Sequence, residues 1–116
     1  MSRAHERPRT VTVGNGTLVW RFGGGGTAEI VDIDVSSERR REGIGRMMVG
    51  YLLDDLRKWN GANAGDGVRL IYAITRRRNL IAQSFYDSLG FRLLGAMHRF
   101  YSDPNDDALM FGKEVG

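Results

Sequence analysis

The chain has 116 residues, of which 41% are hydrophobic and 27% charged, enough for one domain with a real core and too few for two independent ones. It has no cysteine and only two histidines, His5 and His98, so disulfides, thiolate metal sites, a cysteine nucleophile and a histidine-rich metal centre are excluded and no metal is expected. Seventeen basic against fourteen acidic side chains give a net charge of +3, which permits a polyanionic partner without demanding one.

No apolar run approaches the roughly 20 residues that span a bilayer, and the start of the chain lacks the apolar core of a signal peptide, so a cytoplasmic location is expected. Residues 1–8, MSRAHERP, are polar and aperiodic and read as a flexible basic tail before a single domain over 9–116. Residues 10–13 and 17–22 are β-prone runs on either side of Gly14-Asn15-Gly16, the composition of a hairpin, and Gly23 to Gly26 read as a second, loose turn. Residues 27–35 form a strand of mixed alternation that carries Glu29, Asp32 and Asp34.

From Ile44 onward the apolar residues Ile44, Met47, Met48, Tyr51, Leu52, Leu56 and Trp59 recur at spacings of three and four. That is the pattern of a helix burying one face, with Met47, Met48 and Trp59 in the core and a left-handed end expected at Asn60-Gly61. Residues 68–75 are almost continuously apolar and read as a central strand buried on both faces. Residues 79–89 repeat the helical spacing and stop at Gly90, and residues 91–101 and 108–114 are the last two strands. The order β-β-β-α-β-α-β-β defines an α/β (α+β) fold: a mixed, mostly antiparallel twisted sheet of about six strands with two main helices. A strand, a crossover helix and a strand in the middle require a parallel pair at its centre.

Between the third strand and the first helix lies Arg40-Arg41-Glu42-Gly43-Ile44-Gly45-Arg46. At a helix start the first N–H groups lack intrahelical partners and the dipole is positive, so an anionic oxygen can replace the missing acceptors. Glycine lets the backbone approach closely, and arginines add forked donors that suit a polyphosphate. A dinucleotide fingerprint is excluded because Met48 stands where its third glycine or alanine is needed, and a P-loop because no lysine follows Gly43, Gly45 or the run Gly23 to Gly26. What remains is R-x-x-G-x-G, Arg40 to Gly45, with a plain solvated turn as its ordinary alternative. A second cluster, Arg76 to Arg78, reads equally as a phosphate contact or an exposed loop.

Residues 28–91 resemble the Gcn5-related N-acetyltransferase (GNAT) superfamily. Residues 35–45, VSSERRREGIG, look like the family's strand end, turn and pyrophosphate loop, and Asn79, Ala82, Tyr86 and Leu89-Gly90-Phe91 look like its N-x-x-A-x-x-x-Y followed by a G-F step. The resemblance implies acetyl-CoA as cofactor. Its pyrophosphate would lie on the backbone N–H groups of Arg41, Glu42, Gly43, Ile44, Gly45 and Arg46, with Arg40 beside them. The backbone of Ile33 and Val35 would pair with the pantetheine amides, Asn79 and Ala82 would lie on the pantetheine arm, and Tyr86 near the sulfur. Seven residues on a helix return almost to the same side about 10 Å further along, so a ligand touching both Asn79 and Tyr86 must be extended.

The reaction so implied moves an acetyl group to a primary amine, of a protein, a peptide or a small molecule, by direct attack in a ternary complex. An amine with a solution pKa of about 10.4 must first lose a proton. Glu29, six residues before Val35, stands where the histone-modifying branch of the family looks to carry its catalytic glutamate, and is the first candidate for the base. Asp32 and Asp34 are alternatives, because a bulge in the strand would alter which side chains face the acceptor. The Val35 N–H would hold the oxyanion, and Tyr86 would protonate the departing thiolate or hydrogen-bond to it.

The resemblance is to a minimal form. About eight residues precede the first hairpin, where the family usually carries acceptor-side helices, so either the acceptor brings its own contacts or a second copy closes the site as a homodimer. A non-catalytic acyl-CoA-binding or regulatory module is the second reading. A nucleic-acid-binding domain comes last, because aromatic residues are not interleaved with the basic ones. No membrane partner is expected. The acidic loop 102–107 hints at a cationic amine or basic peptide as acceptor, and His98 is assigned no role beyond a structural one.

Overall fold

The computed structural model describes residues 7–36 and 43–116, and its elements follow the expected order. They are β1 (Arg9–Val13), β2 (Gly16–Gly24), β3 (Thr27–Asp34), α1 (Ile44–Ala62), β4 (Leu70–Arg76), α2 (Leu80–Ser88), β5 (Arg92–Tyr101) and β6 (Asp106–Glu114). The six strands form one sheet in the order β1-β2-β3-β4-β6-β5, with β3 and β4 parallel and the hairpin pairs antiparallel. Among the described residues no helix is long and apolar enough to cross a membrane. The chain divides into two compact units, the first running to Ile71 and including Glu114–Gly116, the second Tyr72–Lys113.

In the first unit, β1 and β2 meet across Gly14-Asn15, and β2 and β3 across Gly25-Gly26. The four-glycine run is therefore shorter as a turn than its composition implies, since Gly23 and Gly24 continue β2. Leu18, Trp20 and Phe22 of β2 and Ala28 and Ile30 of β3 are buried, as are Ile44, Met48, Val49, Leu52, Leu53 and Leu56 of α1, which packs on β1 and β2. Burying an aliphatic or aromatic side chain of this size contributes about 1.5–3 kcal/mol, so this contact fixes where α1 lies. Gly16 sets its start: a β-carbon there would stand 2.6 Å from Ile44 Cγ2.

The buried stripe of α1 advances by fours, 44/45, 48/49, 52/53 and 56. Met47 is consequently not core; it is 45% exposed and Tyr51 one turn on is 50% exposed, while Val49 and Leu53 fill the places between helix and sheet. Trp59 is half-buried, its ring 4.9 Å from that of Phe22 and its Nε1 donating to the Asp66 carbonyl at 3.2 Å.

The helix also runs past the expected stop at Asn60-Gly61 and ends at Ala62, with an ordinary negative φ at Asn63. Asn60 is occupied otherwise. Its Nδ2 donates to the Val68 carbonyl at 2.8 Å and its Oδ1 accepts from the Val68 N–H at 2.6 Å. Both backbone groups of Val68 are thereby taken out of strand pairing, which explains why β4 begins at Leu70 and not at 68.

In the second unit, Ala73 and Thr75 of β4 are buried, and the residues alternating with them are half-buried. Tyr86 of α2 is buried with Phe91, Ala108 and Phe111, its ring centroid 5.1 Å from Phe91 and 6.2 Å from Phe111. β5, at the end of the strand order, is exposed along almost its whole length.

Candidate functional site

The acidic strand β3 contains a bulge. Ile30 pairs with Trp20 and Asp32 with Val19, so Val31 is the extra residue. Before it, Ala28 and Ile30 share the buried face with Phe22 and Trp20; after it, Ile33 lies opposite the buried Leu18. The alternation changes phase at the bulge, and Glu29, Asp32 and Asp34, opposite Arg21, Val19 and Thr17, fall on one face. An unbroken strand would have separated Glu29 from the two aspartates. Of the three, Glu29 is paired: its Oε1 accepts from Arg21 Nε at 3.0 Å and lies 2.9 Å from Nη2, with the side chain 15% exposed. Ile33 is half-buried in the strand and Val35 half-buried just beyond its end.

α1 starts on a glycine. Gly43 adopts φ 77°, ψ 15°, a left-handed conformation that costs other residues about 1–2 kcal/mol, and an added β-carbon would meet nothing, so the backbone alone calls for glycine. Its carbonyl accepts from the Met47 N–H at 3.0 Å. Among the described residues no side chain caps the helix and no acidic residue occupies its first turn. Ile44 and Gly45 are buried and anchor the turn, while Arg46 is exposed on it. The dipole there favours an anion by about 0.3–1 kcal/mol. Arg40, Arg41 and Glu42 lie outside the described residues.

Asn79, Ala82 and Tyr86 belong to the second unit, and there the N-x-x-A spacing has a structural cause. Asn79 is the N-cap of α2, its Oδ1 accepting from the Ala82 N–H at 3.1 Å. The G-F step closes the same helix: the Tyr86 carbonyl accepts from Leu89 and Phe91 N–H groups, and Gly90 takes φ 83°. Tyr86 itself is a core aromatic, with Phe85 a further ring at 5.2 Å.

Arg76 to Arg78 are bound to the β5–β6 connection. Arg76 Nη1 donates to the Pro104 carbonyl at 3.0 Å and its guanidinium lies 4.3 Å from the Tyr101 ring centroid. Arg77 donates its N–H to the Asp107 carbonyl and Nη1 to Asp107 Oδ2; Arg78 donates its N–H to Asp106 Oδ2, with Nε 3.4 Å from the same oxygen, and Nη2 to the Asn105 carbonyl. These contacts make the cluster a structural clasp on that connection, a role beyond the two that its sequence offers. Of the acidic loop, Asp106 and Asp107 are ion-paired with these arginines. The Arg99 N–H at 2.8 Å, aided by Arg77 and His98 and opposed by desolvation, holds the Asp107 carboxyl below its ordinary value.

Two polar groups escaped the sequence reading. Ser36 Oγ, following Val35, and Thr75 Oγ1, near the end of β4, are buried with no hydrogen-bond partner among the described residues. Such groups call for an explanation, and one occurs in each unit.

Comparison with known proteins accords with this geometry. The family model for the acetyltransferase (GNAT) family matches residues 9–91. The [ribosomal protein bS18]-alanine N-acetyltransferase of Escherichia coli K12 is 29% identical over 90 residues, which cover 76% of this chain and 56% of that protein. The chain thus spans about half the length of the curated relatives it matches. A crystal structure of a GNAT-family acetyltransferase from Desulfovibrio desulfuricans superposes with TM-score 0.73 at 26% identity, covering 87% of this chain and 61% of the other. Arabidopsis thaliana NAA60, solved in complex with acetyl-CoA, shares the fold with TM-score 0.69 at 18% identity, covering 86% of this chain and 65% of the other.

Proposed function

This chain belongs to the acetyltransferase (GNAT) family, and we propose that it moves an acetyl group from acetyl-CoA to a primary amine by direct attack in a ternary complex. The observation that carries the reading is the start of α1: a left-handed glycine at the N-cap and, among the described residues, neither a capping side chain nor an acidic residue in the helix's first turn. The first N–H groups of α1, from Gly43 to Arg46, would hold the pyrophosphate, together with Arg40, Arg41 and Glu42 ahead of them. Ile33 and Val35 would pair through their backbones with the pantetheine amides. Because Asn79 Oδ1 accepts from Ala82, it is Asn79 Nδ2 that would donate to the pantetheine arm.

Acetyl-CoA supplies the activated acetyl thioester. Glu29 would take the proton of the attacking amine, directly or through water; Asp32 and Asp34 share its face and are its alternatives. The Val35 N–H would donate to the developing oxyanion and Tyr86 to the departing thiolate. A curated relative is named for an alanine of ribosomal protein bS18, and we extend the class to this chain: a protein amine as acceptor.

Thiol release from acetyl-CoA, with a peptide beginning in alanine and a panel of small amines, tests the reading. Release that depends on the acceptor supports it. The pairing of Glu29 with Arg21 favours a second reading, an acyl-CoA-binding module without turnover. That reading gives ligand-induced stabilisation with no thiol release for any acceptor.

A further inference from the structure

We propose that Asp106 and Asp107 are positioning residues for the cofactor: from the start of β6 they hold the turn that carries Asn79, and so set the N-terminus of α2 against the pantetheine arm. The inference rests on the acetyl-CoA reading and adds to it two residues outside both sequence motifs.

Only three residues separate the end of β4 at Arg76 from the first residue of α2 at Leu80. The two that precede Asn79 are held by both backbone and side chain. Arg77 gives its N–H to the Asp107 carbonyl at 2.9 Å and Nη1 to Oδ2 at 3.2 Å; Arg78 gives its N–H to Asp106 Oδ2 at 3.2 Å. The carboxylates are themselves fixed. Asp107 Oδ1 accepts from the Arg99 N–H at 2.8 Å and lies 3.1 Å from His98 Nδ1, and Asp106 Oδ1 accepts from the Asp107 N–H at 2.9 Å.

With side chains 9% and 20% exposed, Asp106 and Asp107 are less open to solvent than the partners of ordinary surface ion pairs, so their charge-assisted bonds carry more orienting force. On the other side, Asn79 is tied back to the same turn: its N–H donates to the Arg76 carbonyl at 3.0 Å, and Gln83 Nε2 donates to the Arg77 carbonyl at 2.5 Å. The cap geometry that aims Asn79 is therefore set from β6. In this role the three consecutive arginines orient a turn.

The test is calorimetric titration of the wild-type chain and the Asp106→Asn/Asp107→Asn double variant with three ligands. These are CoA, dephospho-CoA, and adenosine 3′-phosphate 5′-diphosphate, which has no pantetheine. In the double variant CoA and dephospho-CoA weaken by the same factor, roughly tenfold, and the pantetheine-free ligand is unchanged. If the double variant does not melt cooperatively, Asp107→Asn alone serves.

Unchanged CoA affinity in a folded variant overturns the inference and leaves the cofactor reading intact. So does an equal loss for the pantetheine-free ligand, which marks a general loss of structure, or a gain for CoA over dephospho-CoA, which marks arginines freed to bind the 3′-phosphate. A wild-type chain that binds none of the three overturns the cofactor reading and this inference with it.

Discussion

Glu29 and Arg21 face one another across the β2–β3 pair, one carboxylate oxygen of Glu29 lying 2.9 Å and 3.0 Å from two nitrogens of the guanidinium. A proton acceptor and an ion-pair partner are different duties, and substitution separates them. As the base, Glu29→Gln lowers kcat by about a hundredfold or more, whereas Arg21→Gln, which removes only the partner, costs less than about tenfold. Equal losses in the two variants, measured by thiol release at neutral pH, reduce Glu29 to the ion pair and move the base to Asp32 or Asp34.

Asn79 likewise has two assignments, a cap that is observed and a pantetheine contact that is proposed. Asn79→Ala loses both and destabilises the fold by about 1 kcal/mol. Asn79→Asp keeps a capping oxygen while removing the Nδ2 donor. Its urea midpoint stays near that of the wild type while its acetyl-CoA affinity falls as far as that of the alanine variant.

The Asn60 side chain satisfies both backbone groups of Val68. Two part-buried hydrogen bonds contribute about 1 kcal/mol each, so Asn60→Ala lowers unfolding free energy by about 2 kcal/mol in urea titration. The loop that Asn60 holds opens first, which amide exchange at Val68 reads directly.

Asp107 makes stability depend on pH with a definite sign. Its native carboxyl titrates below the ordinary 3.8, so the unfolded chain takes up the proton first as the solution is acidified. The contribution is complete above the ordinary value and is lost as pH falls through the lowered native one. Asp107→Asn removes it throughout, so the gap in melting temperature between wild type and variant that this carboxylate contributes narrows as the solution is acidified below the ordinary value of 3.8.

The hairpins, both helices and the order of all eight elements were legible because each is announced by neighbours in sequence: Gly14-Asn15, the apolar run from Ile44, Asn79 ahead of Leu80. Met47 and Tyr51 were misplaced for a physical reason. A spacing of three and four admits both edges of a helical stripe, and only the seating of Ile44 over Gly16 decides which edge is buried. The left-handed end at Asn60-Gly61 failed because the Asn60 amide finds its partner eight residues on, beyond any local rule. The clasp of Arg77 and Arg78 on Asp107 and Asp106 was invisible for the same reason, with opposite charges about thirty residues apart read as two independent loops. A bulge in this strand was foreseen as a source of ambiguity but not placed; it lies at Val31 and gathers all three carboxylates on one face.

The central claim, that the start of α1 holds the pyrophosphate of acetyl-CoA, is tested most directly by thermal denaturation with and without acetyl-CoA in the wild type and in Arg46→Glu. Gly45 is buried and a bulky residue there would damage the core, whereas Arg46 is exposed on the first turn. A carboxylate at that position suits the helix dipole, and each protein's melting temperature without ligand is the reference for its own shift. At a hundredfold excess over Kd the ligand adds about 2.7 kcal/mol to the wild type, a rise of several degrees, and Arg46→Glu shows little or none of it. No rise in the wild type, or the same rise in both, contradicts the account.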